Sequence, residues 1–237
     1  MLALPMILRA ILRPIVWLYL CAVSLTVWGE STCYGSVSNG GLENGVGLPG
    51  NGRNFSAYSS AAGVLRRTYV HSKVAEIVSA AYSALEKTAP GKVFVYGETG
   101  WPSGGRFRPH RTHQNGLSVD FMVPVVDSAE RSVALPGNAL NRFGYDLEFD
   151  EVGKYQTLQI DFEAMAEHIY QLQLAARARS ADIALVIFDP RFLKSLLAAP
   201  RGAYLRQNVK FLQGPAWWRH DEHYHIDFAV PCRTMQG

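Results

Sequence analysis

Apolar residues at Val74, Ile77, Val78, Ala81 and Leu85 follow the spacing of one helix face, which predicts a helix over Ser72–Thr88, closed by Pro90. A second helix is predicted over Phe162–Ser180, with Met165, Ile169, Leu172 and Ala176 on one face. His168 is expected on its solvent side or at a cap, and His71 is expected to be structural. A short helix, Arg191–Ala198, starts near Pro190. Apolar runs of strand length lie at Lys92–Gly97, Leu117–Val123 and Ile183–Phe188, and another runs from His223 through Val230. Alternate side chains of a strand face the same way. Ser118, Asp120 and Met122 then share one face, and Leu117, Val119, Phe121 and Val123 the other. His223 and His225 point one way, while Ile226, Phe228 and Val230 continue the opposite face.

The remaining segments are less regular. Residues 34–64 are rich in Gly, Asn and Ser, with Leu42, Val46, Leu48 and Phe55 interspersed, and read as a packed N-terminal lobe without catalytic duty. Val123–Asp150, with Pro124, Pro136 and Gly137, reads as irregular and as the rim of a cleft. Trp217 and Trp218 are expected in the core, with stacking on a substrate as the rival use. Together these elements predict an α+β single domain. Its central, mostly antiparallel sheet has helices packed to one side and carries Asp120, His223 and His225 on one face.

Composition changes this picture little. A chain of 237 residues with 48% hydrophobic content suits one domain with a proper core. The net charge of +3 comes without a basic stripe, so no nucleic-acid partner is expected, and nothing sets an oligomeric state. Residues 1–29 read as a signal peptide or membrane leader: Arg9 and Arg13 precede the apolar run Ile15–Trp28, and Glu30-Ser31-Thr32 is abruptly polar. The domain proper is then 30–237. Cys21 leaves with a cleaved leader, so Cys33 and Cys232 are either a disulfide or two free thiols, and export favours the disulfide.

The chemistry concentrates in two short segments. His110-Arg111-Thr112-His113 through Asp120 and His220-Asp221-Glu222-His223-Tyr224-His225 hold five of the seven histidines. Neutral histidine is the commonest transition-metal ligand, and a catalytic zinc takes three protein ligands and keeps one position open. Asp120 sits in an apolar strand, where an unpaired carboxylate is expensive and a metal ion is one suitable partner. Either segment alone reads more readily as ordinary hydrogen-bonded histidines; the two together, each leading into an apolar strand, make a metal centre as good a reading. Gly116 can take the positive φ that reverses the chain between His113 and the strand.

The pattern H-x(6)-D at His113 and Asp120, followed by H-x-H at His223 and His225, resembles that of zinc peptidases. These include lysostaphin-type endopeptidases, D-Ala-D-Ala carboxypeptidases and hedgehog domains. More closely, the chain resembles the penicillin-insensitive murein endopeptidases. The matching residues are Gly104-Gly105-Arg106-Phe107, His110-x-x-His113-Gln114-x-Gly116-Leu117-x-Val119-Asp120 and His220-x-x-His223-x-His225. Gly35-Ser36-x-Ser38-Asn39-Gly40 and Ile187-Phe188-x-Pro190 are also similar.

The resemblance implies a zinc ion held by His113, Asp120 and His225, with His223 as base or acid and His220 and His110 as further catalytic histidines. It implies a periplasmic zinc metallopeptidase that hydrolyses the D-alanyl–diaminopimelate cross-links of peptidoglycan through a zinc-activated water. It also implies that the glycine-rich loop Glu98–Pro109 lines the active site. Glu222 stands where the carboxypeptidase relatives carry a catalytic Glu. A D-Ala carboxypeptidase or dipeptidase using Glu222, with a cationic anchor such as Arg106 or Arg111, is therefore the alternative. A zinc-containing binding protein without catalysis is the third reading. Asp146–Tyr155 carries Asp146, Glu148 and Asp150 but no histidine, so no second zinc is expected.

Overall fold

The computed structural model describes residues 29–214 and 219–235. The expected leader up to residue 28 and the Trp217-Trp218 pair lie outside the described residues. The chain opens with a hairpin, β1 (Thr32–Ser36) and β2 (Asn39–Glu43). Next come β3 (Val46–Gly47), β4 (Phe55–Ala57), α1 (Ser60–Val64), β5 (Tyr69–Val70) and α2 (Ser72–Thr88). β6 (Phe94–Tyr96) and β7 (Ser118–Met122) bracket the loop that carries His110 and His113. β8 (Val125–Val126), β9 (Ser132–Val133), β10 (Lys154–Tyr155) and β11 (Leu158–Ile160) make a small sheet of order β10-β11-β8-β9. α3 (Phe162–Arg177), β12 (Asp182–Ile187), α4 (Pro190–Ala198), α5 (Gly202–Asn208) and β13 (His223–Ala229) follow.

The central sheet has the order β12-β13-β7-β6-β4. Its pairings are antiparallel except for the outer pair of β4 with β6, which is parallel. The mixed α/β single domain therefore has the expected, mostly antiparallel sheet. Val119, Phe121, Tyr224, Ile226 and Phe228 are buried on one face under the long helices. The expected stripe of α2 is buried, and its start is capped by His71, whose Nδ1 accepts the Lys73 N–H at 3.1 Å. Asp161 caps α3 in the same way, through the Ala164 N–H.

Two expectations are corrected. His168 is buried rather than solvent-facing. Its Nδ1 lies 2.5 Å from the Tyr224 hydroxyl, and its ring stacks on Tyr82 at 5.1 Å and packs edge-on to Phe121 at 4.8 Å. Position 168 falls on the Met165–Leu172 stripe, so the helix that buries the stripe buries the imidazole too, and desolvation lowers its pKa to about 3. The second correction concerns residues 34–64, which are not a lobe remote from the chemistry. β1 and β2 form a hairpin against the histidine loop, and α1 crosses to the side opposite α2 and α3, where it walls the cleft described next.

Cys33 and Cys232 form the expected disulfide, joining β1 to the segment after β13. Among the described residues, no helix is long and apolar enough to cross a membrane.

Candidate metal centre and catalytic cleft

The register of β13 on β7 assembles the site. His225 pairs with Asp120, His223 with Met122 and Asp227 with Ser118. Paired residues of antiparallel strands project to the same side, so one face collects Asp120, His223, His225 and Asp227. A slip of β13 by one residue would turn His223, His225 and Asp227 away from Asp120.

His113 is delivered by the loop between β6 and β7, in the left-handed region with φ +67°. The next residue, Gln114, holds the turn by donating its N–H to the Val37 carbonyl at 3.0 Å. His113 Nδ1 donates to the Thr99 carbonyl at 2.9 Å. In a neutral ring this leaves Nε2 as a bare lone pair. Burial drives the ring towards that neutral form, against the pull of Asp120. Nε2 is fully buried without a hydrogen-bond partner and lies 3.2 Å from Asp120 Oδ1. An imidazole lone pair facing a buried carboxylate oxygen is an arrangement that a cation between or beside them would satisfy. A donor set of imidazole nitrogen and carboxylate suits zinc, and the Thr99 carbonyl is the outer partner such a ligand needs.

Asp120 is the centre of the cluster. Its Oδ1 contacts His225 Nδ1 at 2.8 Å, and its Oδ2 accepts from the Tyr145 hydroxyl at 3.0 Å. Burial opposes its ionisation, but His113 and His223 hold the carboxyl well below the usual carboxylate range. Asp227 Oδ1 lies 2.8 Å from His225 Nε2 and accepts the Ser118 hydroxyl at 2.6 Å. Burial would depress the His225 pKa, yet Asp227 and Asp120, one on each ring nitrogen, raise it to about 10. A carboxylate on each ring nitrogen favours a positive charge on His225, which a second ring proton supplies and which a bound metal ion would also supply.

The two other histidines nearest Asp120 flank it. His110 Nδ1 lies 3.7 Å from Asp120 Oδ2 and its Nε2 lies 2.6 Å from Glu98 Oε2. The ligand atoms of His110, His113 and Asp120 all lie within 4.8 Å of one another, so His110 as well as His225 stands beside the His113–Asp120 pair. His223 Nε2 lies 3.9 Å from the same Asp120 oxygen, while its Nδ1 meets Glu222 Oε1 at 2.9 Å. Burial lowers the His223 pKa to about 4 and raises that of Glu222 to about 7. His220 packs against His223 in a tilted arrangement with ring centroids 4.6 Å apart. Asp221 turns away and accepts the Phe149 N–H at 2.7 Å, tying the rim to this approach.

The cluster opens into a cleft of about 590 Å³. Ala61, Ala62 and Leu65 line it together with Arg142, Phe143 and Tyr145, so the irregular segment does form a rim. His110, His220, His223 and His225 line it, whereas Glu222 does not. Arg111 is exposed on its wall.

Several residues at the site escape the sequence reading. Glu98 accepts the Tyr58 hydroxyl at 2.8 Å and Arg67 Nε at 2.5 Å in addition to His110. Burial opposes its charge, but His110 and Arg67 bring its pKa down to about 2. Tyr145 has no local signal at all. Asp227 was within reach, because it stands two residues beyond His225 and so shares its face.

The chain is 23% identical to a penicillin-insensitive murein endopeptidase of Klebsiella pneumoniae (strain 342) over 216 residues, 90% of this chain and 72% of that protein. It is 24% identical to one of Escherichia coli (strain SE11) over 218 residues, with the same shares covered. The sequence profile of the penicillin-insensitive murein endopeptidase family matches residues 33–236, and the chain belongs to that family.

Proposed function

We propose that this chain is a zinc-dependent endopeptidase that cuts the peptide cross-links of peptidoglycan, at the D-alanyl–diaminopimelate bond, in the periplasm. His113, Asp120 and His225 would hold the metal. The observation that carries this reading is the bare, buried Nε2 of His113 facing the Asp120 carboxylate at 3.2 Å, with His225 on the same oxygen. The chemistry supplied by zinc, when bound, is Lewis acidity towards a carbonyl oxygen and towards water.

The chain's own residues do the rest. Glu222 holds His223 by Nδ1 and leaves Nε2 on the cleft side. A neutral ring in that pose takes the proton of the attacking water at Nε2 and hands it to the leaving amine. Burial keeps the ring neutral over the physiological range. Glu222, bonded to His223 and off the cleft wall, serves as that ring's anchor, which favours His223 over Glu222 as the base. His220 and His110 complete the wall that meets the substrate.

The test is digestion of purified cross-linked peptidoglycan, read by mass spectrometry of the fragments. Cross-linked dimers should fall to monomers, stop with a chelator and resume with zinc. Loss of terminal D-Ala alone would replace this reading with the carboxypeptidase. No cleavage with stoichiometric zinc bound would replace it with the binding protein. His223→Ala should abolish turnover and keep the bound zinc; loss of the metal or of the fold would make His223 structural.

A further inference from the structure

Two histidines approach the same oxygen of Asp120, and each is backed by a glutamate on its other nitrogen. Glu222 meets Nδ1 of His223 and leaves Nε2 at 3.9 Å from Asp120 Oδ2. Glu98 meets Nε2 of His110 at 2.6 Å and leaves Nδ1 at 3.7 Å from that oxygen. The second glutamate is held more completely than the first. Its Oε1 takes both the Tyr58 hydroxyl and Arg67 Nε, so Oε2 is left to His110. Arg67 cannot swing away freely: its guanidinium lies over the Phe107 ring at 4.2 Å and donates to the Arg108 carbonyl at 3.2 Å. Phe107 also stacks on His110, with centroids 5.5 Å apart. The Glu98 backbone is tied to the same centre. Its N–H donates to the Tyr145 hydroxyl at 2.8 Å and its carbonyl accepts the Asp120 N–H at 3.0 Å.

A carboxylate that accepts only hydrogen bonds fixes which nitrogen of its partner imidazole carries a proton. We propose that Glu98 is a positioning residue for the reaction: clamped by Arg67 and Tyr58, it holds the Nε2–H of His110 and turns Nδ1 to the reaction centre beside Asp120. The cleft then presents two oriented imidazoles beside a single carboxylate. His110 meets the substrate with its Nδ1 atom, and Glu98 acts only through it. This rests on the hydrolytic reading of the cleft given above.

The experiment compares the zinc-loaded wild-type chain with Glu98→Gln, which keeps the shape and removes the charge. Ring protonation is read by long-range proton–nitrogen NMR with 15N-labelled histidine, assigned by His110→Gln. In the wild type, His110 should be protonated at Nε2. In Glu98→Gln the protonation should be shared between Nε2 and Nδ1, with zinc stoichiometry retained. Turnover of a cross-linked muropeptide should fall roughly 10–100-fold in kcat, the usual loss when the partner of an active-site imidazole is changed, with KM held within about twofold. A wild-type His110 bare at Nε2 overturns the proposal, and so does Glu98→Gln with wild-type kcat. Should the variant not fold, the wild-type spectrum still decides. A wild-type chain inactive on murein would count against the hydrolytic reading, while the ring measurement would still judge Glu98.

Discussion

At the residue scale, the site is a set of imidazoles whose tautomers are dictated from behind. Thr99 fixes His113 and leaves its Nε2 towards Asp120, while Asp227 holds His225 Nε2 and orients Nδ1 towards Asp120. Such outer partners are worth about 10–100-fold in metal affinity. Asp227→Asn keeps the shape and removes the charge on His225 Nε2. Zinc affinity, measured by competition with a chromogenic chelator, should fall by about that factor, while the fold stands. Unchanged affinity would mean that His225 is not a ligand. The histidines and Asp120 were legible in the sequence because their spacing on strands is periodic. Glu98 and Tyr145 were not, because they reach the site through the loop after β6 and through the rim, whose paths no periodicity describes.

At the element scale, α2 and α3 were readable nearly to their ends from apolar spacing alone. What the spacing hides is the cost of a polar residue on that stripe. His168 lies between Tyr82, Phe121 and Tyr224, and folding requires it to be neutral. Its folded pKa of about 3 is below the ordinary value of 6.5, so the unfolded chain binds the extra proton between these limits. Its contribution is therefore intact above pH 6.5 and is lost progressively as the pH falls towards 3. In urea titrations across that window, His168→Phe should lose stability with falling pH less steeply than the wild type, by up to about 1.4 kcal/mol per pH unit. Parallel slopes would show that His168 titrates normally.

At the scale of the whole molecule, the ends of the domain are brought together beneath the site. The disulfide closes a separation of 199 residues between Cys33 and Cys232. The hairpin it anchors holds the loop between β6 and β7 at two points: Val37 accepts the Gln114 N–H and Gly40 accepts the Gly105 N–H. Cys33→Ser with Cys232→Ser should lower unfolding stability by about 2–5 kcal/mol, since the unfolded chain regains the freedom of a long loop. Because the hairpin abuts His113, zinc affinity should fall as well. A double variant with the wild-type denaturation midpoint would show that packing alone closes the domain.

The local pattern was enough for the elements and for the clustering of chemistry. Periodicity is a property of neighbouring residues, so α2, α3, β7 and β13 follow from it, as does the sharing of one face by His223 and His225. The family likeness came the same way, since its motifs lie within short runs. Tertiary structure alone decided that Asp120 faces His225, because the register between β7 and β13 depends on packing across about a hundred residues of chain. It alone brought α1 and the rim to the cleft and carried Glu98, Arg67 and Tyr58 to His110. Contacts between segments distant in sequence leave no local period, and they exist only once the sheet has closed over its core.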